Sequence, residues 1–563
     1  VGLFGATNNS TIQNIGLIQA NVRGSWRVGA LIGEANYTNT SNAFSTGQVN
    51  GFRLVGGLVG FNQNQSNILS SYSNAQVTAT DSFAGGLSGA NENSSRIENS
   101  YATGAVQAQG SNSNAGGLSG NNYSNSVIKN SYATGAVSGI DAVGGLLGNN
   151  DSSTVENSYA TGQVTRTSGN AMTFGGLVGW SGGTIKNSYW NSATTGQTQA
   201  VGDNSGNLTS VVGLTTAQMF DKANFAGFDF NSIWNNADNQ TTPYFKNHVG
   251  LNSVFNKNDS TNALYNVIQN IHHLQGVNNN LGGKYVLGNH IEAVDTVNWN
   301  AGQGFSPIGD SSNHFTGKFD GLGYTVNDLY INRPDTGNVG LFARIRNATV
   351  QNIGLNRATV TGKNDVGSLI GEMNNSTLQN SYSSDANVTG EQAVGGLVGS
   401  SYTSTIAQSY STGMVKGRAQ TGGLVGTNSQ QSTIKESYSA ADVDGNGIVL
   451  TGGLAGHNND SNISQSYATG QITGVGGALV GVNENNAQII QSYWSTGISG
   501  AARGIGATQL GGSIDSDSKD LTAEQMKSSA SFVGFDIDGQ GGTGKVWRIY
   551  EGNTAPLLRS FLT

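Results

Sequence analysis

A Gly-Gly-Leu string recurs through the chain at intervals of about 28 residues, a period within the range of repeat proteins. It reads VGGLVG at 55–60, AGGLSG at 84–89 and VGGLLG at 143–148, and VGGLVG returns at 394–399. A second string lies between these copies, such as NSYATG at 99–104 and 130–135 or QSYATG at 465–470. Repeats of 20–50 residues are typical of solenoids, in which each unit buries its apolar face against the next unit. The repeat therefore predicts a solenoid along most of the chain.

The segments inside each repeat are short and favour strands. Gly, Ser, Asn and Thr are poor or modest helix formers. In IENSY at 97–101, Ile97 and Tyr101 share one face while Glu98 takes the other. We therefore predict an all-β fold, a parallel β-helix with coils of about 28 residues that stack about 4.8 Å apart, and a few short helices. Stacking places leucine on leucine, tyrosine on tyrosine and asparagine on asparagine.

The repeated residues are predicted to be structural, because stacking accounts for their repetition without a binding site. Glycine pairs are expected at corners, where they permit positive φ. The residues assigned to the structural repeat are Gly56, Gly57, Leu58, Gly60, Tyr72, Tyr101, Tyr132, Tyr159, Gly395, Gly396, Leu397, Tyr410 and Tyr467. Four tryptophans near the ends of the two repeat arrays are predicted to cap them: Trp190, Trp494, Trp234 and Trp547.

Composition excludes several functions. Among 563 residues there are 84 Gly, 68 Asn and no Cys, so disulfides, zinc thiolate sites and thiol catalysis are absent. Acidic residues outnumber basic ones 34 to 26, which argues against a nucleic-acid partner. No apolar run reaches the roughly 18–20 residues that span a membrane. Only 11% of residues are charged, as expected if equivalent side chains stack at short range.

A longer repeat defines the domain organisation. VGLF at 1–4 returns at 339–342, and LTTAQM at 214–219 corresponds to LTAEQM at 521–526. The predicted regions are a first array at 1–190 with a truncated start, a closing segment at 191–250, irregular coils at 251–338 that begin a second module, a second array at 339–494 and a second closing segment at 495–563. The best helix candidate is 261–274, where a helix of only a turn or two is expected, and the two LT motifs are expected to begin short helices.

These motifs carry a family resemblance. The Gly-Gly-Leu strands resemble the GLUG repeat of large bacterial surface proteins, and the segment from GGKYVLGNHIEA at 282–293 to VGLF at 339–342 is similar to repeats of filamentous-haemagglutinin-like adhesins. The resemblance implies a right-handed β-helix outside the cell or on the bacterial outer surface. It also implies an outer-membrane transporter as the export partner (two-partner secretion), although that family's secretion motifs are not visible in this chain. GLUG repeats also occur beside metallopeptidase domains.

Candidate chemistry is sparse. The six histidines form no His-Glu-x-x-His motif, and His272, His273 and His290 match no metal-ligand spacing. Acidic residues are densest at Glu292, Asp295, Asp310, Asp320, Asp328 and Asp335, where either calcium binding or polar turns are conceivable. Asp229 and Asp536 recur before Trp234 and Trp547, which suggests local hydrogen-bond anchors. Trp180 has no counterpart in the second array and is the candidate for ligand stacking.

We therefore predict no catalytic residue, no metal ligand and no cofactor other than the calcium alternative. The leading hypothesis is a rigid adhesive stalk that contacts host or matrix glycans and proteins through weak multivalent interactions. Two alternatives remain: a carbohydrate-active β-helix enzyme, and a spacer beside a surface protease domain. A groove with clustered acids would favour the enzyme, whereas a uniformly polar, convex surface would favour the stalk.

Overall fold

Parallel strands stacked at coil spacing make up most of both parts of the chain. The computed structural model describes residues 1–111, 113–167, 173–246, 248, 252–446, 450–539 and 544–562. It divides into two units, Val1–Tyr265 and Asn266–Thr563. Each unit is a β-solenoid with parallel pairing between successive coils, so the predicted all-β parallel β-helix is confirmed. The division follows Tyr265, somewhat beyond the boundary at 250 expected from the long repeat.

Three sheets run along the first unit. Sheet 1 contains the strands that follow the Gly-Gly-Leu string: Phe4–Asn8, Ile32–Asn36, Val59–Gln63, Ser88–Asn91, Ser119–Tyr123, Leu147–Asp151, Val178–Ser181 and Val201–Asn204. Sheet 2 contains the tyrosine strands and their neighbours: Thr11–Gln13, Gly16–Arg23, Asn39–Ser41, Phe44–Gly51, Asn67–Leu69, Tyr72–Ser73, Gln76–Ala79, Arg96–Glu98, Tyr101–Ala102, Val106–Ala108, Val127–Lys129, Tyr132–Ala133, Val137–Gly139, Thr154–Glu156, Tyr159–Ala160, Val164–Arg166, Thr184–Asn191 and Asn207–Leu214. Sheet 3 ends at the glycine pair: Trp26–Gly29, Arg53–Gly56, Ala84–Gly85, Ala115–Gly116, Ala142–Gly144 and Thr173–Gly175. The strands Trp234–Asn235, Tyr244–Phe245 and Ser253–Phe255 follow these sheets.

The second unit repeats this plan. Sheet 4 corresponds to sheet 1: Phe342–Arg346, Ile370–Asn374, Val398–Tyr402, Val425–Ser429, Ala455–Asn459, Val480–Glu484 and Ile505–Thr508. Sheet 5 contains Leu264–Ile268, Lys284–Leu287, Lys318–Asp320, Thr349–Gln351, Thr377–Gln379, Thr405–Ala407, Thr433–Lys435, Asn462–Ser464, Gln488–Ile490 and Ser513–Ile514. Sheet 6 contains the tyrosine strands: Ile291–Glu292, Thr325–Asn327, Tyr330–Asn332, Gly354–Asn356, Thr359–Thr361, Tyr382–Thr389, Tyr410–Lys416, Tyr438–Asp444, Tyr467–Ala468, Ile472–Thr473, Tyr493–Trp494 and Lys519–Asp520. Sheet 7 contains Asn364–Gly367, Gln392–Gly395, Ala419–Gly422 and Thr451–Gly452, and a small final sheet contains Ile537–Asp538, Trp547–Arg548 and Leu557–Leu558.

Helices are short throughout the described residues. The α-helices are Ser192–Thr195, Ile271–Gln275 and Thr496–Ser499. The 3-10 helices are Gln218–Phe220, Lys222–Asn224, Gly276–Asn279, Val294–Asn298, Asn300–Gly302, Gln525–Lys527, Ser529–Ser531 and Arg559–Phe561. None of these helices is long or apolar enough to cross a membrane.

The short helix predicted within 261–274 is present only at the C-terminal end of that segment. The middle of this segment is the strand Leu264–Ile268, and the helix that follows spans Ile271–Gln275. Burial alternates over 264–267, where Tyr265 and Val267 are buried, Leu264 is exposed and Asn266 is half-buried. The apolar residues meet the core in this extended form, and that tertiary burial outweighs local helix preference. Asn270 then caps the short helix by accepting a hydrogen bond from the His273 N–H at 2.9 Å.

The interior of the first unit is built from ladders of equivalent residues. Leu58, Leu87 and Leu118 are fully buried and belong to one apolar cluster with Ile68 and Ile97. Burial of each such side chain stabilises the fold by about 1.5–3 kcal/mol. A second cluster holds the valines of the Thr-Gly-x-Val segments and of sheet 3. The leucine ladder inferred from the sequence is therefore the core of the coil.

The glycine pairs are not the positive-φ corners expected from the sequence. Gly56, Gly57, Gly395 and Gly396 all have negative or extended φ. Instead, a Cβ on Gly57 would overlap the carbonyl oxygen of Gly86 in the next coil, and one on Gly396 would overlap that of Gly423. Backbones of successive coils approach so closely here that a methyl group does not fit. The repeat thus requires glycine for lack of space rather than for backbone freedom.

The asparagine of the Asn-Ser-Tyr string takes the left-handed corner. Asn99 has φ 50° and Asn130 has φ 45°, a region that asparagine tolerates better than most residues. The following serine joins coils, since the Ser71 N–H donates to Ser100 Oγ at 3.1 Å. The Ser100 hydroxyl then donates to the Glu98 carbonyl at 2.8 Å. The asparagine and the serine of the string therefore have different structural roles.

A buried asparagine ladder runs along sheet 1. The Asn62 side-chain amide donates to Asn91 Oδ1 at 2.8 Å, Asn91 donates to Asn122 Oδ1 at 2.9 Å, and Asn122 donates to Asn150 Oδ1 at 3.0 Å. These amides also donate to nearby backbone carbonyls, such as that of Ser66. The predicted stacking of asparagine on asparagine is present and satisfies polar groups inside the solenoid.

Candidate functional site

The repeated tyrosines form aromatic stacks that are separate from the leucine core. In the first unit the rings of Phe44, Tyr72, Tyr101, Tyr132 and Tyr159 succeed one another at centroid separations of 4.9–5.0 Å, with interplanar angles between 4° and 9°. In the second unit the stack comprises Tyr382, Tyr410, Tyr438 and Tyr467 at the same spacing. The separation matches the rise of one coil.

Each closing segment folds back over its tyrosine stack. The ring centroid of Trp234 lies 6.1 Å from that of Tyr132 and 5.9 Å from that of Tyr159. The Tyr159 hydroxyl donates to the Pro243 carbonyl at 2.5 Å. In the second unit the Tyr467 hydroxyl donates to the Pro556 carbonyl at the same distance. Most of these tyrosines are therefore buried, and they do not form an exposed aromatic strip for ligands.

The end-capping tryptophans occupy two kinds of position. Trp190 belongs to the leucine cluster, and its indole N–H donates to the Gln197 carbonyl at 3.0 Å. Trp494 is buried beside Gly504. Trp234 and Trp547 differ from the expectation, because they cover the flanks of the tyrosine stacks. Trp547 lies 6.2 Å from Tyr438 and 5.9 Å from Tyr467.

Several acidic residues highlighted in the sequence organise turns and pairs. Asp310 Oδ1 accepts the N–H groups of Ser312 and Asn313 at 2.7 Å, and these bonds hold the pKa of Asp310 below its usual value. Asp328 pairs with Arg357 at 2.7 Å. Asp320 accepts from the side chains of Gln351 and Asn352 in the next coil. The Glu292 carboxylate accepts from the Asn327 amide at 2.6 Å.

The corresponding aspartates of the two closing segments also accept local hydrogen bonds. Asp229 accepts from the Asn231 and Ser232 N–H groups, and Asp536 pairs with Lys545 at 2.5 Å. The two LT motifs begin 3-10 turns. Thr522 Oγ1 accepts the Gln525 N–H at 3.2 Å, while Gln525 Oε1 accepts the Thr522 N–H at 2.9 Å. This reciprocal pair is a capping box.

Two carboxylates that sequence reasoning missed are Glu372, in a row of equivalent positions in sheet 4, and Asp365, in the sheet 7 strand Asn364–Gly367. Arg344, Glu372 and Ser400 are in register. The Arg344 guanidinium pairs with Glu372 at 2.6 Å, and the Ser400 hydroxyl donates to Asp365 at 2.5 Å. Burial raises the pKa of Asp365. Arg344 and Glu372 are one repeat length apart in the sequence, and that spacing is the signal that would have revealed the row.

The three histidines considered as a metal cluster have separate surroundings. The His272 ring stacks on Trp299, His273 Nδ1 accepts the Gln269 N–H at 3.4 Å, and His290 Nδ1 contacts the Thr325 hydroxyl at 2.8 Å. Burial lowers the pKa of His273. In the described part of the chain, no group of three or more His, Asp or Glu side chains is arranged to hold a metal ion. Calcium binding stays a prediction.

Trp180 lies in the sheet 1 strand Val178–Ser181, in register with Asn149 and Asp203 of the neighbouring coils. It is half-buried, and its ring packs over Gly182. The Trp180 ring therefore has a local packing role. Ligand stacking there stays a prediction.

An open groove in the second unit combines aromatic and amide groups. It has a volume of about 660 Å³ and is lined by His272, Gln275, Gly276, Asn278, Asn279, Trp299, Asn300 and Ser306. We call it the His272 groove. The His272 ring lies 5.1 Å from the Trp299 ring at an interplanar angle of 20°. Trp299 is half-buried over the fully buried Phe305, with 6.3 Å between centroids.

Hydrogen bonds fix the polar walls of the His272 groove. The Gln275 side chain donates to the Ser306 carbonyl at 2.8 Å and accepts the Ser306 N–H at 3.0 Å. Asn278 donates to the Pro307 carbonyl and accepts the Gly309 N–H at 2.8 Å. Sequence reasoning missed this site because none of its residues repeats. The sequence signal that could have revealed the site was the loss of the repeat in the segment WNAGQGFSPIG at 299–309, which contains an isolated tryptophan.

Two families match parts of the chain. The GLUG motif matches residues 84–107, 111–138, 141–165 and 448–473, so the chain contains GLUG repeats as the resemblance implied. The M26 IgA1-specific metallo-endopeptidase N-terminal region matches residues 239–390, a segment that includes the His272 groove. Neither match tests the filamentous-haemagglutinin resemblance or two-partner secretion, which remain predictions.

The matched parts span only a small share of the two sequence relatives. Halomucin from Haloquadratum walsbyi is 34% identical over 128 residues, which are 22% of this chain and 1% of halomucin. A proposed Gly-rich membrane protein from Evansella cellulosilytica is 35% identical over 115 residues, which are 19% of this chain and 13% of that protein. A solved structure of a proposed immunoglobulin A1 protease from Bacteroides ovatus covers 53% of this chain and 92% of its own, at 18% identity and a TM-score of 0.36. This structural likeness is too low to carry an argument.

Proposed function

We propose that this chain is a rigid, non-catalytic solenoid segment of a large cell-surface or secreted protein, which holds binding surfaces at fixed positions. The observation that carries the proposal is a row of parallel strands that continues from coil to coil along each unit. In the first unit, strands starting at Asn39, Asn67 and Arg96 pair directly, and the pairing continues to Asn207. Backbone ladders, buried amides and stacked rings link the same coils and resist bending.

The sequence relatives support a surface location. One has a name that places it in a membrane, and another is named as a mucin. The match to a metallo-endopeptidase N-terminal region supports the spacer alternative, in which this segment positions a protease domain. The adhesive hypothesis goes further, since it requires the segment itself to bind glycans or proteins.

The turn-forming and paired acids support a non-catalytic role. Asp310 and Asp328 serve local bonds, and Glu372 is paired with Arg344. An enzyme that hydrolyses glycosides needs a general acid and a second carboxylate on either side of the scissile bond. Asp365, whose pKa is raised, and the neighbouring Glu372 are the pair of carboxylates to test for the enzyme alternative.

Rigidity is tested with two spin labels in the full chain. The chain lacks cysteine, so Asn39→Cys and Asn207→Cys introduce unique exposed sites at equivalent coil positions. Six coil steps separate them, which predicts a backbone distance of about 29 Å. Pulsed electron resonance should give one narrow distance distribution near this value. A distribution spread over tens of ångströms would contradict a rigid segment.

Catalysis and adhesion need a separate test. The full chain is incubated with a polysaccharide panel and with immunoglobulin A1, and its binding to cells is measured over a concentration range. We expect no turnover, and saturable binding would favour the adhesin over the inert spacer. Turnover that disappears in Asp365→Asn or Glu372→Gln would overturn the non-catalytic proposal.

A further inference from the structure

We propose that the His272 groove binds the ring of a neutral sugar. This inference rests on the proposed surface role and names the ligand class that such a surface would contact. The groove volume of about 660 Å³ lies within the range of small-molecule sites, which combine apolar or aromatic walls with a few fixed polar groups. It is open to solvent at the surface of the second unit, as expected for a site that receives part of a longer glycan.

The aromatic wall supplies a platform for the apolar face of a sugar. His272 is exposed and stacks on Trp299, which in turn is supported by buried Phe305. The three rings lie within 23° of one another from one neighbour to the next, so the platform is held by packing from below. Rings with an apolar body and a polar edge suit ligands that are both apolar and hydroxylated.

The polar groups of the groove supply both donors and acceptors. Ser306 Oγ accepts from Arg333 Nη2 at 3.1 Å and from Asn300 Nδ2 at 3.4 Å, so its own O–H is directed to another acceptor. Among the described residues, the Trp299 indole N–H and the Asn279 side chain have no hydrogen-bond partner. Sugar hydroxyls donate and accept at the same atom and can satisfy such a mixed set.

Charge excludes the main competing ligands. The lining contains no Asp, Glu, Lys or Arg, and the nearby Arg333 guanidinium is engaged with Ser306 and with Gln303 Oε1 at 3.1 Å. A phosphorylated or carboxylated ligand would be recognised through charge-assisted bonds from Arg or Lys. A metal ion would require ligating carboxylates or clustered imidazoles, which this groove lacks. The chemistry therefore favours an uncharged hydroxylated ring.

The test is saturation-transfer NMR of the full chain with glucose, galactose, mannose, N-acetylglucosamine and their neutral disaccharides. We expect at least one of these sugars to bind, with a saturation-transfer signal that reaches a plateau as the sugar concentration rises. His272→Ala changes an exposed side chain, and Trp299→Phe keeps a ring while removing the N–H. Each should weaken binding about tenfold. Trp26→Ala, at an exposed tryptophan of the first unit, is the matched control and should leave the affinity unchanged.

The outcomes separate this inference from the proposed function. No saturable binding of any neutral sugar would overturn it, as would binding that survives both groove variants or binding that is lost in Trp26→Ala. None of these results would alter the spin-label distance, which tests the rigid segment by itself. Conversely, a broad distance distribution would refute the rigid segment while the sugar titration still reports on the groove.

Discussion

Replacing Gly60 by alanine should destabilise the first unit far more than the same change at Gly5. The two glycines occupy the same position in their coils, in strands Val59–Gln63 and Phe4–Asn8. A Cβ at Gly60 would lie 2.5 Å from the Arg27 carbonyl carbon and 2.5 Å from the Val28 nitrogen, whereas a Cβ at Gly5 would meet no atom within 4 Å. Neither glycine has positive φ, so backbone strain does not distinguish them.

The magnitude follows from the space between coils. An ordinary contact begins at 3.4 Å, so the facing backbone must move by about 1 Å to admit the methyl group. That movement stretches adjacent inter-coil bonds, such as those from the Leu31 and Ile32 N–H groups to the Leu58 carbonyl at 3.0 and 3.2 Å. Overpacking costs about 1–3 kcal/mol and each weakened bond about 1 kcal/mol. We expect Gly60→Ala to cost about 3–5 kcal/mol on this basis.

Hydrogen exchange measured by mass spectrometry is the suitable assay, because solenoids open locally and their unfolding is not one two-state transition. Peptides covering 28–63 should lose protection in Gly60→Ala. In Gly5→Ala the protection should stay the same or rise by about 0.4–1 kcal/mol, because alanine restricts the unfolded chain. Equal effects of the two substitutions would refute the conclusion that coil spacing is what demands glycine.

Three further outcomes are expected. Trp547→Ala should lower the free energy of unfolding by about 3–5 kcal/mol and expose the tyrosine stack to iodination. Trp26→Ala changes an exposed residue and should have neither effect. Unchanged iodination in Trp547→Ala would refute the covering role. Burial raises the pKa of Tyr72 to about 12 and that of Tyr101 well above 10, so their stabilisation is complete below pH 10 and should fall by about 1.4 kcal/mol per pH unit and tyrosine above it. The difference in absorbance at 295 nm between the protein and its Tyr101→Phe variant should then rise only as the protein unfolds, because the exposed tyrosines contribute equally to both proteins. A difference that develops near pH 10 in the native state would contradict this. Asn122→Ala breaks the amide ladder and should lower the free energy of unfolding, measured with denaturant, by about 2–3 kcal/mol. Asn207→Ala changes an exposed side chain and should lower it by less than about 0.5 kcal/mol. Equal losses in the two variants would refute the contribution of the ladder.

The periodicity of the sequence was sufficient to predict the fold. Equivalent residues at intervals of one repeat length can all be buried only if coils stack in register, so Leu58, Leu87 and Leu118 had to form a ladder. The same reasoning predicted the stacked tyrosines and the buried asparagine ladder. It did not apply at 261–274, where the repeat is absent and the expected short helix is present only at Ile271–Gln275. Burial of Tyr265 and Val267 at strand spacing decided that segment.

The sequence by itself determined the coil, its repeat and the residues that stack, because a one-dimensional period carries over directly into a one-dimensional array. Only the tertiary structure decided which non-equivalent residues contact each other. It showed that Gly57 is required by the neighbouring backbone, that Trp234 covers the side of the tyrosine stack, and that His272 and Trp299 meet although irregular chain separates them. Such contacts depend on where non-repeating segments fold back onto the solenoid, and no period in the sequence encodes that direction.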